Sequence, residues 1–200
     1  LNIEMGQPEI MRSKSDYSQL VTVLFLIIAV ALRFVPHPVN FAPLGALGLF
    51  AGCYLRGWGA WLLPVGAVAA SDWLGHLLNI PGMGFYSPIG MAFVYGGFAI
   101  GALIGRLLRG RERPLPVAGA AFLNSLAFFI VSNFGVWFAS VSFYEKSLTG
   151  LVECYVSAIP FFGNTLAGDI FYSALFFGAY QLVLRIISAE EVETVKVRDR

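Results

Sequence analysis

Two aspartates and an arginine lie inside or beside long apolar runs, and they are the residues most able to do chemistry. Asp72 and His76 are four apart in "SDWLGH", so a helix puts them on one face. Asp169 follows Asn164 and Thr165 in "GNTLAGD". Arg33 opens "RFVPHPVNFAP", which also brings His37 and Asn40 between two apolar segments. An ionisable group within a membrane span is costly and usually faces a cavity or a partner. A cluster of Arg33 with one or both aspartates is the simplest arrangement that makes these charges tolerable. Such a cluster either pins helices together or borders a pocket for a small solute.

Other chemistry finds less support. No G-x-S-x-G, H-E-x-x-H or P-loop pattern occurs, and no nucleophile stands beside the Asp72–His76 pair, so no catalytic residue and no enzyme activity are expected. His37, Asp72 and His76 offer imidazole and carboxylate ligands for a divalent metal, but three ligands from separate segments are a weak set, and no metal or other cofactor is expected. Cys53 and Cys154 form no C-x-x-C and fall in different segments. A net charge of +1 gives no field that would attract nucleic acid.

The elements that must position these residues follow from composition. The 200-residue chain is 58% hydrophobic and 12% charged, with mean hydropathy +0.73. Soluble domains carry roughly 25% charged residues. The expected fold is therefore an all-α integral membrane protein lying in the lipid bilayer. A spanning helix needs about 20 apolar residues. Six segments approach this: 19–35, 40–55, 57–79, 88–108, 117–140 and 164–187, the second being short and tilted or partly inserted. The semi-polar stretch 148–162 reads as a short interfacial or re-entrant helix before the last span. The domain plan is a tail over 1–18, a six-helix membrane domain over 19–187 and a tail over 188–200. Leu20 to Val35 has no small-residue cleavage site and reads as a retained helix rather than a signal.

Charge sets the orientation. Six spans leave only Arg33 and Lys146, of the 13 Lys and Arg residues, on one side. By the positive-inside rule both termini and the loop "RLLRGRERP" are cytoplasmic. Arg33, His37, Asn40, Asp72, His76, Asn133, Asn164 and Asp169 then share an outer depth. Asn124 and Ser125, near mid-depth, are the exceptions. Trp73, Trp137 and Phe161 belong to an aromatic set at the same face and are candidate pocket walls, as are rings such as Tyr86. The loop 79–88 is a glycine- and proline-rich turn that either connects helices or covers the pocket.

Small residues recur at four-residue spacing: Gly97, Gly101 and Gly105 on the fourth span, Gly66 and Ala70 on the third. Such stripes let helix backbones approach, either within the bundle or against another membrane subunit.

The segments "RFVPHPVNFAPLGALGLFAG", "AASDWLG", "SNFGVW" and "CYVSAIPFFGNTLAGDIFYSALFFGAY" resemble a family of bacterial six-helix membrane proteins described as transport proteins. That family is similar in size and helix count to the substrate-binding S components of energy-coupling factor (ECF) vitamin transporters. The resemblance spans about Arg33 to Tyr180. It implies a bacterial inner-membrane protein that binds a small solute, such as a vitamin or related molecule, in an outward-facing pocket. It also implies an energising transporter complex, or another membrane subunit, as partner. S components dock that partner through small-residue repeats on their first and third helices. Here the third carries Gly66/Ala70, and "LVTVLFLIIAVALRF" of the first carries none. The other expectation is an accessory or structural subunit that binds a protein partner through its glycine-rich helix faces.

Overall fold

The computed structural model describes residues 7–198 except 81–82, 86 and 140–142, with side chains described between 19 and 189. Tyr86 and part of the loop 79–88 therefore lie outside the described residues. So do the side chains of the two terminal tails, apart from Ser188 and Ala189.

Among the described residues the chain forms six α-helices: α1 (Gln7–Leu32), α2 (Leu44–Tyr54), α3 (Gly59–Leu77), α4 (Pro88–Arg106), α5 (Pro114–Phe138) and α6 (Leu148–Arg198). Three of them, α4, α5 and α6 up to Ala189, are long and apolar enough to cross a membrane. The breaks fall where the backbone demands them. Pro36 and Pro38 follow α1 and cannot continue its hydrogen-bond ladder. Ser87 caps α4 by accepting the Gly90 N–H at 3.3 Å, with Pro88 at the first helical position. Ser147 caps α6 in the same way, accepting from Gly150 at 3.1 Å.

α2 is the hub. It touches every other helix, and Leu44 through Cys53 are all buried. Its 11 residues rise only about 16 Å, short of a hydrocarbon core of about 30 Å. A helix so short can sit at the centre because protein surrounds it on all sides. Small residues permit this. A Cβ on Gly105 would overlap the Leu49 carbonyl, and one on Gly52 would overlap that of Ala102. On Gly101 it would lie 2.6 Å from the Asn124 amide oxygen, and on Gly97 2.8 Å from the Phe128 ring. The α4 glycine stripe is thus filled by α2 and α5 of the same chain. Gly66 differs: a Cβ there meets nothing within 4 Å, and it is exposed on α3 together with Ala70.

The end of α2 is closed by Arg109 from the α4–α5 connection. Its Nε and Nη2 donate to the carbonyls of Gly52, Cys53 and Leu55 at 2.6–3.2 Å. Helix ends leave their last carbonyls without intrahelical partners, and a guanidinium fork can serve several at once. Hydrogen bonds to a charged group contribute about 1.5–3 kcal/mol. Arg109→Ala is therefore expected to lower stability by about 2–3 kcal/mol. Arg109→Lys should recover less than half of that, read from melting in detergent; equal melting of Arg109→Ala and wild type would contradict the role.

The largest difference from the sequence reading lies in the last span. Residues 148–162 and 164–187 are not an interfacial helix and a separate span: they run on as one 51-residue helix, α6, through Pro160. Proline removes one N–H, and apolar helices tolerate this where neighbours re-satisfy the freed backbone. Residues 7–18 of the first predicted tail belong to α1, and residues 188–198 of the second belong to α6.

The two ends of the bundle are filled differently. Towards the arginine-rich end, Phe25, Phe50, Tyr54, Phe176, Phe177 and Tyr180 form a ring cluster with centroids 4.0–6.4 Å apart. Asp72, Asn124, Ser125 and Asp169 are buried towards the other end, around the start of α2.

Candidate functional site

The charged groups form two separate sites. In the first, Arg33 lies one residue past α1 and reaches α3. Its Nη2 donates to Asp72 Oδ1 at 2.7 Å, with the two side chains only 10% and 8% exposed. Its Nη1 donates to the Ser71 hydroxyl and to the Val68 carbonyl. Tyr95 of α4 donates its hydroxyl to Asp72 Oδ2 at 3.0 Å. Both carboxylate oxygens are thereby satisfied, and three helices are tied together. The expected carboxylate partner of Arg33 is Asp72 from α3; Asp169 is not in this group.

Asp169 of α6 is the centre of the second site. It is 2% exposed, and its Oδ2 accepts from Asn124 Nδ2 at 2.9 Å and lies 2.7 Å from the Ser125 hydroxyl. Among the described residues no cation lies within ion-pair distance of it, so its partners are neutral dipoles. Gly45 at the start of α2 makes room for it: a Cβ there would overlap Asp169 Oδ1. Gly168 brings the α6 backbone in the same way against Phe41 and Ala42, with 3.2 Å left for a Cβ.

A cavity of about 90 Å³ opens beside this carboxylate, lined by Asp169, Asn124, Asn40, Thr165 and the Phe98 and Phe128 rings. Those rings stack at 4.8 Å. A second cavity of about 90 Å³ shares Asn40, Phe128 and Thr165 and adds Ser132, Asn133 and Phe161. The shared walls make these two chambers of one cleft between α2, α4, α5 and α6. Asn40 is the hinge of both, and its backbone is in the left-handed region (φ 64°). Asparagine tolerates that conformation better than most residues. Asn164 fixes the same loop by donating to the Val39 carbonyl at 2.9 Å.

Of the residues singled out in the sequence, Asn40, Asn133, Phe161 and Asp169 therefore converge on the cleft, and Arg33 and Asp72 converge on each other. Asn124, Ser125 and Thr165 join the cleft as well, and Asn164 holds its loop; His37, His76, Trp73 and Trp137 join neither group. His37 is exposed, with a ring nitrogen 2.9 Å from the Pro38 carbonyl. His76 is exposed on α3 and rests against Phe85. Trp73 is 59% exposed on the bundle surface. Trp137 donates to the Glu145 carbonyl at 2.8 Å and lies under Lys146. Among the described residues no three His, Cys, Asp or Glu side chains gather as a metal site.

Sequence reasoning missed Tyr95, Gly45, Phe98 and Phe128. Tyr95 carried a usable signal, because a phenol within an apolar helix needs a partner. Asn124 and Ser125 carried another: an adjacent amide and hydroxyl at mid-span call for a polar group on a facing helix. A larger cavity, about 410 Å³, lies at the arginine-rich end between α5 and α6, with mostly apolar walls.

The model of one family, DUF6580, described as a family of unknown function, matches residues 13–191. No curated protein and no solved structure matches the chain.

Proposed function

We propose, for a chain that belongs to DUF6580, a role as a substrate-binding subunit in membrane transport. In this reading the six helices lie in a bacterial inner membrane, α2 being only partly inserted. Both termini are cytoplasmic, as the distribution of lysine and arginine favours. The cleft around Asp169 then opens outward and takes a small solute. The likeness to the S components of energy-coupling factor transporters supports the same assignment.

The observation that carries the proposal is Asp169: a carboxyl buried at 2% exposure, held only by neutral donors, beside a cavity. Intramembrane carboxyls without a cationic partner mark substrate or ion pathways. The cleft pairs this group with amide, hydroxyl and aromatic walls, which suits a solute bearing an ammonium or another strong hydrogen-bond donor. Chambers of about 90 Å³ are small beside the roughly 300–1,000 Å³ of drug-sized sites, and they favour a solute of few heavy atoms. The exposed Gly66–Ala70 face of α3 is the surface on which an energising membrane subunit would dock. An accessory role through the α4 glycines has no free surface to use, because α2 and α5 fill it.

Titration of purified protein against a panel of small amines, vitamins, nucleobases and metal ions tests the proposal. At least one cationic or donor-rich solute binds, and Asp169→Asn weakens it by at least about thirtyfold, the low end for truncating one partner of a buried charge pair. The amide still accepts from Asn124 and Ser125, so the fold survives. Failure of every solute to bind, or unchanged affinity in Asp169→Asn, would overturn it.

A further inference from the structure

The 410 Å³ cavity at the arginine-rich end has no part in that cleft. Its walls include Val117, Ala118, Ala174 and Leu182, and its only charged side chains are Glu112 and Arg185. Among the described residues these two do not pair with each other. Glu112 is already oriented: its Oε1 accepts the Gly110 N–H at 2.9 Å and the Cys53 thiol at 3.6 Å, which leaves Oε2 for another donor. α5 begins here at Pro114; Pro114 and Pro116 carry no N–H and the Val117 N–H is bonded to the Arg113 carbonyl, so among the lining residues the Arg185 guanidinium is the group that attracts an anion. Gly178 keeps the cavity open, since a Cβ there meets nothing within 4 Å. One apolar chamber thus carries a carboxylate and a guanidinium at its rim.

We infer that this cavity binds a phospholipid whose headgroup carries a primary ammonium. An acyl chain lies along α6 between Ala174 and Leu182, the phosphodiester meets Arg185, and the ammonium donates to Glu112. A headgroup with negative charge alone would leave Glu112 facing an anion. A trimethylated headgroup would be attracted to Glu112 but could donate no hydrogen bond to it. The inference rests on α5 and α6 lying in a bilayer and is independent of the Asp169 cleft.

The full chain, purified in detergent and mixed with equal amounts of dioleoyl phosphatidylethanolamine, phosphatidylcholine and phosphatidylglycerol, gives the test by native mass spectrometry. One phosphatidylethanolamine per chain is retained about fivefold over the other two, the factor expected for one charge contact near the membrane surface. Glu112→Gln removes the preference, because its amide can hold Gly110 but not an ammonium. Gly178→Leu, with Ala174→Leu as a second filling variant, removes the bound lipid while melting and helical content stay unchanged. Equal retention of the three lipids, preference for phosphatidylglycerol, or lipid retained in both filling variants would overturn the assignment. Solute titration of the same variants stays at the wild-type value, which separates this site from the cleft.

Discussion

Gly105→Leu leaves no stably folded chain. A Cβ at this position overlaps the backbone carbonyl of Leu49, and the facing Gly52 stands in the same relation to Ala102. Nothing flexible lies between α2 and α4 there, so the added side chain cannot be accommodated by a rotamer change. Overpacking in a tight core costs about 1–3 kcal/mol and more where backbone must move. Here the moved element is the hub that touches all the other helices, so the expected loss is at least about 3 kcal/mol. Gly66→Leu is the matched control, since its Cβ would enter open space. In detergent, Gly66→Leu melts with the wild type, and Gly105→Leu is aggregated or melts far lower. Equal melting of the two variants would contradict the packing described for α4.

Arg33→Ala comes next in size. Removing the guanidinium leaves Asp72, 8% exposed at its side chain, with the Tyr95 hydroxyl on its other oxygen. Breaking a buried pair by deleting one partner costs about 3–5 kcal/mol, mainly because the remaining charge stays buried. The double variant Arg33→Ala/Asp72→Ala removes that charge and is expected to be more stable than Arg33→Ala alone. The interaction energy between the two changes, read from a cycle of melting or denaturant measurements, is at least about 2 kcal/mol. Simple additivity would contradict the clamp. Solute affinity at the Asp169 cleft is expected to be unchanged in the folded double variant, because neither residue lines either chamber.

The helices were legible in the sequence, and so was one contact of the site. The apolar runs place the end of α1 and both ends of α4 and α5 to within a few residues, whereas α1 begins at Gln7, well before the expected start at Gln19. The Arg33–carboxylate pair follows from the cost of isolated charge in an apolar segment. What sequence could not supply was the rotation of each helix. Asp72 and Asp169 were expected at one depth, but depth does not say which way a side chain points. α3 turns Asp72 towards α1 and α4, while α6 turns Asp169 towards α5 and the start of α2. The same missing angle explains why Trp73 and His76 fall on the surface. The continuity of α6 was also hidden, because Pro160 and Gly163 read as a boundary when no neighbouring helix is known. Gly45 had no motif of its own, and its role appears only once Asp169 is seen against it.

The central claim is that the cleft between α2, α4, α5 and α6 opens to the outside and holds the solute. Thr165 lines both chambers and makes the most direct probe. With Cys53 and Cys154 changed to alanine, Thr165→Cys in intact cells is treated with a membrane-impermeant maleimide. The account predicts labelling from outside, and protection from labelling by any solute that Asp169→Asn fails to bind. Labelling only after the membrane is permeabilised, or labelling indifferent to such a solute, would contradict it.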